Sequence, residues 1–458
     1  MTTPSRQSSL SEWIDWLLKL HAEEIDLGLD RISQVAKQMD LTRPAPMVIS
    51  VAGTNGKGSS VAMLVAILKA AGYQVGAYTS PHILKFNERI QLNGCSVSDQ
   101  IIVDAFVAIE AARGQIKLTY FEFSTLAGLF IFKHSDLEVA VLEVGLGGRL
   151  DAVNLVDADA ALITAIDIDH IDWLGSDRSV IATEKAGIMR TGAVAVCSDP
   201  NPPKSLSRYA DKLGVVLQQF KVDFDFELLE NNQAWLFKKL KHAGITLPEG
   251  LKVIDALPMP ALKGDFQVQN AAGVLALLMS VKDALPIKRS DIKRGLMSVK
   301  HPGRLESISI NSQAWLVDVA HNPQSAEALA DYLAQSDSHA AKGTSNRTAL
   351  FSVLNDKDAL PMVKQIAPFI STWVVADLAI PRSTSKQALV QLLLDSGVAQ
   401  QQIITTPTID SAVESVLENQ DVHHVLVWGS FFTVAQAYEA LEKHPANKST
   451  GSKALIDG

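Results

Sequence analysis

The sequence predicts an α/β protein with two domains, because of its length and the alternation of its segments. At roughly 150 residues per domain, 458 residues suffice for two or three domains. Short apolar runs such as 47–52, 139–144 and 160–166 are typical of buried strands, and helical patterns separate them. Apolar strands that alternate with helices predict a parallel sheet covered on both faces.

The other elements of the first domain follow the same alternation. An amphipathic segment at 13–18 precedes the first strand, and Gly72 is expected to end the helix after that strand. Further strands are predicted at 74–79 and 193–197, and helices at 59–71, 99–112 and 122–134.

The rest of the chain predicts an insertion and a second α/β domain. Residues 200–260 favour irregular or antiparallel β structure, and a helix is expected at 266–282. A polar, basic stretch at 286–295 places the domain boundary near 285–300, since strand–helix alternation restarts at Trp315. The second-domain strands are expected in AWLVDVA, TALFSVL, TWVVADL, QIITT and HHVLVWGS. The predicted domains are 1–290 and 300–445, with a polar tail at 446–458.

Composition and charge exclude several classes of protein. Fifty acidic against 41 basic side chains give a net charge of −9, which disfavours general nucleic-acid binding. The longest apolar runs are about half the ~20 residues that a membrane span needs. Cys95 and Cys197 provide neither a disulfide framework nor a Cys-x-x-Cys pair for zinc. With no signal-peptide pattern, we expect a soluble, cytoplasmic monomer that binds neither nucleic acid nor membrane.

The segment GTNGKGSS, residues 53–60, lies between a predicted strand and a predicted helix. In that order, backbone N–H groups and the helix dipole can hold a phosphate. Lys57 would add a positive charge and Ser59 a hydroxyl for Mg²⁺. The common P-loop pattern has Gly six residues before the Lys and Ser or Thr directly after it, whereas this chain has Val51 and Gly58. From the residues alone, the segment is either a variant phosphate loop or a tight Gly-rich turn.

Three more titratable residues have both a structural and a functional interpretation. Glu143 ends a buried strand, where it could meet a metal beside the phosphate loop or serve as a charge at a helix N-terminus. His170 follows a strand and two aspartates, Asp167 and Asp169, and a single histidine there is more often structural. Lys185 has the pattern of an exposed helical cation. A reaction that joins ATP to a carboxylate would need cations and metal ligands of these kinds.

A series of ordered motifs supports a specific resemblance. GTNGKGS is followed by TSPHILKFNERI (79–90), LEVGLGGRLDAVN (142–154), DHIDWLG (169–175), EKAGIMR (184–190), FQVQNAA (266–272), HPGRLE (301–306), DVAHNP (318–323) and GSFFTVAQA (429–437). Over about 25–437, they resemble the folylpolyglutamate synthases of the Mur ligase superfamily. The resemblance implies a P-loop ATPase-like N-terminal domain, similar to the Mur ligase central domain, with a small β insertion and a Rossmann-like C-terminal domain.

The resemblance also implies roles for the residues at matching positions. For ATP these are Thr54, Asn55, Gly56, Lys57, Gly58, Ser59, Ser60 and Asn270 in the first domain, and Arg304, Asp318 and His321 in the second. One Mg²⁺ would be held by Ser59, Ser80 and Glu143, and a second by His170 and a carbamylated Lys185. The residues expected to bind the pterin substrate are Leu27, Gly28, Phe121, Glu122, Asp151, Ala152 and Asn154. Lys57, His170 and Lys185 would be catalytic, and ATP would lie between the domains.

Some of these positions keep alternatives. Phe121 could be a core residue, and Asp151 could cap a turn. Two segments depart from the family pattern: His301 stands where an aromatic residue usually precedes Pro-Gly-Arg, and FQVQN, residues 266–270, replaces a more usual His-Gln pair. Neither departure is expected to touch the chemistry directly.

The implied reaction is ATP-dependent amide formation. ATP would convert the carboxylate of a pteroate or folate to an acyl phosphate, which the amine of L-glutamate attacks. LHAEEIDLGLDRI, LTYFEFSTL and WLGSDR most resemble bacterial bifunctional enzymes, which act on dihydropteroate and on tetrahydrofolates. The alternatives are a single-function folylpolyglutamate synthase, another Mur-type ligase or, from a different class, a P-loop kinase or ATPase.

Overall fold

In a computed structural model, residues 3–21, 26–229, 233–240, 253–339 and 346–444 are described. The chain forms two compact units: the first comprises residues 1–261 and 267–299, and the second comprises residues 262–266 and 300–458. The polar tail predicted at 446–458 lies outside the described residues.

An eight-stranded sheet forms the centre of the first unit. Its strands are β1 (Met47–Ala52), β2 (Val75–Tyr78), β3 (Ile90–Leu92), β4 (Cys95–Ser96), β5 (Val139–Glu143), β6 (Ala160–Ile163), β7 (Val194–Cys197) and β8 (Leu217–Gln219). Their order is β4-β3-β2-β5-β1-β6-β7-β8, and all neighbours from β2 to β8 are parallel, whereas β3 and β4 add antiparallel edge strands. Every residue of β5 is buried, as expected for a strand covered on both faces.

Ten helices in the described part of the chain accompany this sheet. They are α1 (Leu10–Leu17), α2 (Asp30–Gln38), α3 (Lys57–Ala70), α4 (Asp99–Arg113), α5 (Tyr120–Lys133), α6 (Ile171–Leu174), α7 (Arg178–Ala186), α8 (Lys204–Leu213), α9 (Phe266–Ser280) and α10 (Arg289–Ser298). Helix α10 packs on α3 so closely that a Cβ at Gly295 would lie 2.6 Å from the Cα of Ile67. None of the helices within the described ranges is long and apolar enough to cross a membrane.

The prediction for 200–260 was only partly right. Three antiparallel strands do form a small separate sheet: β9 (Phe224–Leu228), β10 (Ala234–Lys239) and β11 (Val253–Pro258). However, α8 and β8 precede them, and β8 extends the main sheet in parallel. Helix α8 buries only Leu206 and Ala210 and follows Pro203, so its apolar stripe is too short to stand out in the sequence.

The second unit contains a six-stranded sheet. Its strands are β12 (Glu306–Ile310), β13 (Gln313–Val317), β14 (Arg347–Phe351), β15 (Thr372–Asp377), β16 (Ile403–Thr408) and β17 (His424–Trp428), in the order β12-β13-β17-β14-β15-β16. Its helices are α11 (Pro323–His339), α12 (Ala359–Ile366), α13 (Lys386–Asp395), α14 (Ile409–Glu418) and α15 (Phe431–Lys443). All neighbours are parallel except β12, which pairs antiparallel with β13. The sequence did not predict β12, because its residues alternate between half-buried and exposed before the buried Ile310 and form no apolar run.

Candidate active site

The phosphate loop lies between β1 and α3, as the sequence predicts. Gly56 stands at the N-terminus of α3 with a φ of +89°, a backbone conformation that favours glycine. A Cβ at Gly56 would lie 2.6 Å from the Oδ1 atom of Asn270, so this glycine also permits a close approach by α9. Two residues expected to contact ATP are therefore neighbours in the first unit, and the N–H groups of the first turn of α3 can receive an anion.

Lys57 and Thr54 fix the shape of this loop. The Nζ atom of Lys57 donates to the carbonyl oxygens of Gly53, at 3.0 Å, and Thr54, at 3.2 Å. The hydroxyl of Thr54 donates to the carbonyl of Asp167 at 2.8 Å and accepts the N–H of the same residue at 2.9 Å. The loop is thus joined to the segment after β6, which leads to His170.

Ser59 is buried, and its hydroxyl accepts a hydrogen bond from the side-chain amide of Gln267 at 3.2 Å. Gln267 in turn accepts from the amide of Asn270 at 3.0 Å. The altered segment 266–270 therefore contacts a predicted metal ligand through Gln267, and whether it touches the chemistry depends on the role of Ser59. Sequence spacing does not show this contact, because it does not reveal that α9 packs against the phosphate loop.

Glu143 and Ser80 come together at the ends of adjacent strands. The N–H of Ser80, just beyond β2, lies 3.3 Å from the Oε2 atom of Glu143, the last residue of β5. Glu143 is buried, and β1 aligns it with Val51, two residues before the phosphate loop. This carboxylate with the hydroxyls of Ser59 and Ser80 is a set of hard oxygen donors of the kind that Mg²⁺ prefers.

Lys185 is buried, with 3% of its surface exposed, so its interpretation as a surface cation is wrong. It lies near the end of α7, where a Cβ at Gly148 would come within 2.9 Å of the Cα of Lys185. Burial, and secondly the charge of Lys57, lowers the pKa of Lys185 to about 7, although Asp169 and Asp151 act in the opposite direction. The site therefore contains an amine that is partly neutral near pH 7, the form that reacts with CO₂.

His170 lies at the surface, at the end of the segment that follows β6. It begins the short helix α6 with a φ of +51°, and its N–H donates to the Oδ1 atom of Asp169 at 2.8 Å. No group of three His, Cys, Asp or Glu side chains within the described ranges is arranged to hold a metal. The expected donors are instead one carboxylate, two hydroxyls, one imidazole and the carbamate of a modified lysine. The oxygen donors among them suit Mg²⁺, whereas an imidazole is a more usual ligand of transition metals.

Three of the predicted substrate residues are engaged in internal hydrogen bonds. Asp151 is buried and accepts the N–H groups of Leu146, at 2.8 Å, and Val153, at 3.0 Å. It caps the short turn of 3₁₀ helix that follows, which confirms the alternative interpretation of this residue. Burial raises the pKa of its carboxyl to about 6.

Asn154 and Glu122 are engaged in the same manner. The amide of Asn154 donates to the carbonyls of Arg149 and Gly187, both at 3.0 Å, and its Oδ1 atom accepts from Arg190 at 2.9 Å. Glu122 accepts the N–H of Thr119 at 2.7 Å in a helix-capping box and lies 3.2 Å from the Nη2 atom of Arg31. Both side chains are thus held in place by internal contacts.

Phe121 is half-buried, so part of its side chain is accessible to solvent. Its ring packs against the backbone of Gly145, where a Cβ would lie 2.6 Å from Cζ, and its centroid lies 6.2 Å from that of Tyr78. The core interpretation of Phe121 is therefore partly right, because one side contacts the main apolar cluster of the unit. Ala152 is buried close to Asp151, and the half-buried Leu27 and Gly28 lie just before α2.

In the second unit, Asp318 organises the residues expected to contact ATP. Its two carboxylate oxygens accept the N–H groups of Leu305 and Ala320, each at 2.8 Å. These bonds fix the backbone beside Arg304 and beside His321. Burial raises the pKa of Asp318, although Arg304 acts against this shift.

An aromatic residue that sequence reasoning missed also belongs to this cluster. The guanidinium of Arg304 lies 5.0 Å from the ring centroid of Phe431, and the ring of His321 lies 5.6 Å from it. Phe431 belongs to GSFFTVAQA, so the motif had marked the segment without giving this residue a role. Burial, and secondly Arg304, lowers the pKa of His301 to about 3.

The class to which this protein belongs follows from its similarity to known proteins. The family model of the Mur ligase middle domain matches residues 51–278, and that of the Mur ligase glutamate ligase domain matches residues 303–431. A dihydrofolate synthase/folylpolyglutamate synthase of Escherichia coli K12 is 37% identical over 440 residues, which cover 96% of this chain and 97% of the relative. The chain belongs to the dihydrofolate synthase/folylpolyglutamate synthase family of Mur ligases.

Solved structures agree over the full length. Escherichia coli FolC in complex with DHPP and ADP is 36% identical, with a TM-score of 0.86, and the match covers 96% of this chain and 99% of that one. A bifunctional folylpolyglutamate synthase/dihydrofolate synthase with Mn, AMPPNP and L-glutamate bound is 38% identical, with a TM-score of 0.85 and coverage of 96% and 100%. These matches confirm the predicted two-domain α/β architecture.

Proposed function

We propose that this chain is an ATP-dependent ligase that adds L-glutamate to dihydropteroate, forming dihydrofolate, and to tetrahydrofolates, forming polyglutamates. The observation that carries the proposal is the combination, in one unit, of a phosphate loop with the buried Lys185. A general P-loop kinase or ATPase has no need of such a lysine. Full-length relatives that carry both activities in their names support the choice.

ATP binds with its phosphates on the N–H groups at the start of α3. The ammonium of Lys57 breaks its hydrogen bonds to the carbonyls of Gly53 and Thr54, or keeps them in part, and donates to the transferring phosphoryl group. The carboxylate oxygen of the substrate attacks the γ-phosphorus, the bond from that phosphorus to the β–γ bridging oxygen breaks, and ADP leaves. Because negative charge builds on the phosphoryl oxygens as they move, a fixed ammonium stabilises the transition state more than the ground state.

Two sets of residues would hold divalent metal ions beside ATP. Ser59, Ser80 and Glu143 form the first, and His170 with carbamylated Lys185 forms the second. When bound, Mg²⁺ supplies positive charge that neutralises the phosphate and carboxylate oxygens. Mn is present in one solved relative, which is consistent with a divalent ion here.

The surroundings of Lys185 support its carbamylation. A neutral amine attacks CO₂, forms a new N–C bond and loses one proton, which yields an anionic carbamate. An ordinary lysine with a pKa near 10.4 is almost wholly protonated at pH 7. Burial lowers the pKa of Lys185 to about 7, so that a substantial share of the amine is reactive at that pH.

The pterin ring packs on Phe121. Glu122, Asp151 and Asn154 line the pocket around it, and Leu27, Gly28 and Ala152 complete the pterin site. The amine of L-glutamate attacks the carbonyl carbon of the acyl phosphate, the amide C–N bond forms, and inorganic phosphate leaves as the amine loses a proton. We assign ATP and pterin binding to residues 1–290. We assign further nucleotide contacts to residues 300–445, where Arg304, Asp318 and His321 lie.

The test is an ADP-release assay with purified protein. With dihydropteroate or a tetrahydrofolate, sustained ADP release should require L-glutamate, and mass spectrometry should detect one added glutamate on dihydropteroate and a series on the folate. Glutamate-independent turnover would favour a kinase or ATPase. Products from tetrahydrofolate alone would identify a single-function folylpolyglutamate synthase. We also place the enzyme in the cytoplasm, in keeping with its two free cysteines.

A further inference from the structure

Side chains hold four consecutive backbone polar groups in the segment that leads to His170. Asp199 accepts the N–H of Ile166 at 2.6 Å, and the Nε atom of Arg178 donates to the carbonyl of Ile166 at 2.9 Å. The hydroxyl of Thr54 then pairs with both the N–H and the carbonyl of Asp167. A loop with each of these groups engaged has a fixed direction where it leaves β6.

Asp199 is unusual because it is a carboxylate with only 1% of its surface exposed. It follows β7, and besides Ile166 it accepts the N–H of Asn201 at 2.7 Å. Arg178 lies 3.6 Å away as its charged partner and also contacts the carbonyl of Asn201 at 3.3 Å. Burying a charge costs free energy unless it is paired and hydrogen-bonded. The groups that pair with Asp199 all belong to, or contact, the loop segments after β6 and β7.

We propose that Asp199 and Arg178 are positioning residues for the ligase reaction, which clamp the peptide groups of Ile166 from both sides and so place His170. The proposal rests on the proposed function, since it concerns the placement of a residue of that active site. Only three residues separate Ile166 from His170, which has a φ of +51°. The hydrogen bonds of Thr54 connect this segment to the phosphate loop, so the positions of the nucleotide and of His170 are coupled.

A role in positioning differs from a role in stability alone. If the clamp only stabilised the fold, its loss would lower the melting temperature and leave the kinetics of the remaining folded protein unchanged. If it places His170, its loss should weaken metal binding and lower kcat, because residues that orient metal ligands typically change affinity or activity 10–100-fold. The KM for the pterin substrate should change little, since the pterin residues lie on other loops.

The experiment compares Asp199→Asn and Arg178→Gln with a matched control, Asp223→Asn. Asp223 is also buried and also accepts a backbone N–H, that of Gln219 at 2.8 Å, but it precedes the small sheet. Arg178→Lys serves as the conservative variant, since an ammonium can still donate to the carbonyl of Ile166. All four are measured for melting temperature, Mn²⁺ affinity by electron paramagnetic resonance, kcat and KM, and amide hydrogen exchange over 164–171 in metal-free protein.

We expect Asp199→Asn and Arg178→Gln to lower kcat and Mn²⁺ affinity about 10–100-fold and to speed exchange over 164–171. Arg178→Lys should recover part of each, and Asp223→Asn should lose stability with kcat within about twofold of wild type. Equal kinetics, Mn²⁺ affinity and exchange in Asp199→Asn and Asp223→Asn would overturn the proposal. If wild-type protein lacks glutamate-dependent turnover, the proposed function fails instead, and Mn²⁺ affinity and exchange still decide whether the clamp exists.

Discussion

The two units bring their candidate site residues together by different topologies. In the first, the phosphate loop, Ser80, Glu143 and the segment before His170 lie at the ends of β1, β2, β5 and β6, which are neighbours in one parallel sheet. In the second, Arg304 and Asp318 meet because β12 and β13 form an antiparallel pair in which Glu306 aligns with Val317. Parallel strands end at one edge, so several loops can share a site there. In the second unit, the pair β12 and β13 brings fewer residues together, so each of them carries more of the function.

This contrast predicts how each unit responds to substitution. In the first, single side chains with distinct chemistry should dominate activity. In the second, Asp318 links two turns, so one change should disturb Arg304 and His321 together. The changes below test this difference in decreasing order of their effect.

Lys57→Ala should have the largest effect. It removes the ammonium at the phosphate loop, and kcat should fall about 10²–10³-fold or more, as expected for the loss of a fixed group that stabilises transition-state charge. Lys69→Ala is the control, because this exposed lysine lies on the same helix, α3, away from the loop. ADP-release kinetics and circular dichroism of both variants make the measurement. A folded Lys57→Ala enzyme with normal kcat would contradict the role of Lys57.

Lys185→Arg should also be nearly inactive, with a loss of about 10²-fold or more, because a guanidinium keeps the charge but cannot form a carbamate. Lys185→Ala should be as poor, and a small carboxylate added to it should partly restore turnover by filling the vacated space. Lys204→Arg, an exposed change on α8, should leave activity unchanged.

Carbon-13 NMR after equilibration with labelled bicarbonate should detect a carbamate in the wild-type protein and none in Lys185→Arg. Added CO₂ should not rescue the arginine variant. An active Lys185→Arg enzyme without any carbamate signal in the wild type would rule out this modification.

Asp318→Asn should act more moderately and on two properties at once. One of its two acceptor oxygens becomes an NH₂ group that faces a backbone N–H, which should cost about 1–3 kcal/mol in the free energy of unfolding. The KM for ATP should rise, since Arg304 and His321 lose their common support. Asp151→Asn in the first unit is the counterpart, as Asp151 also accepts two backbone N–H groups. It should raise the KM for dihydropteroate and leave that for ATP nearly unchanged; identical kinetic changes in both variants would argue against separate roles.

Much of this arrangement could be predicted from sequence, with instructive exceptions. Most buried strands and the phosphate loop were predicted because apolar runs and glycine spacing are local signals, whereas the edge strands β3, β4, β8 and β12 were not. The burial of Lys185 was not, since a lysine on a short helix looks exposed until the Gly-rich loop at 145–148 is seen to pack against it. Likewise, the hydrogen bonds of Asn154 and the contact of Gln267 with Ser59 join residues 33 and 208 positions apart. Sequence motifs located these residues, whereas only packing showed which are engaged in internal support.

Near neutral pH, the smallest effect is expected at two histidines, one in each unit, whose pKa values are both lowered to about 3. In the first unit, the Nδ1 atom of His82 accepts a hydrogen bond from Arg89 at 2.8 Å, which stabilises the neutral form of the imidazole. In the second, the Nε2 atom of His301 is buried without a hydrogen-bond partner among the described residues. Replacing His82 with an apolar ring should therefore destabilise the protein, whereas His301→Phe should be neutral or stabilising at pH 7.5.

The pH dependence sharpens this last prediction. Unfolded chains protonate histidine near pH 6.5, whereas folded protein resists protonation of His301 until about pH 3, so this residue makes stability fall as the pH drops through that window. His301→Phe removes this term, and its advantage over wild type should grow between pH 6.5 and pH 4 by on the order of 2–3 kcal/mol. Calorimetric unfolding at pH 7.5, 6.0, 5.0 and 4.0 measures it, with His444→Phe at the end of the last helix as the control. A constant difference between His301→Phe and wild type across these pH values would show that His301 titrates with the same pKa in the folded and the unfolded protein, and that the buried imidazole is not the acid-sensitive group of the second unit.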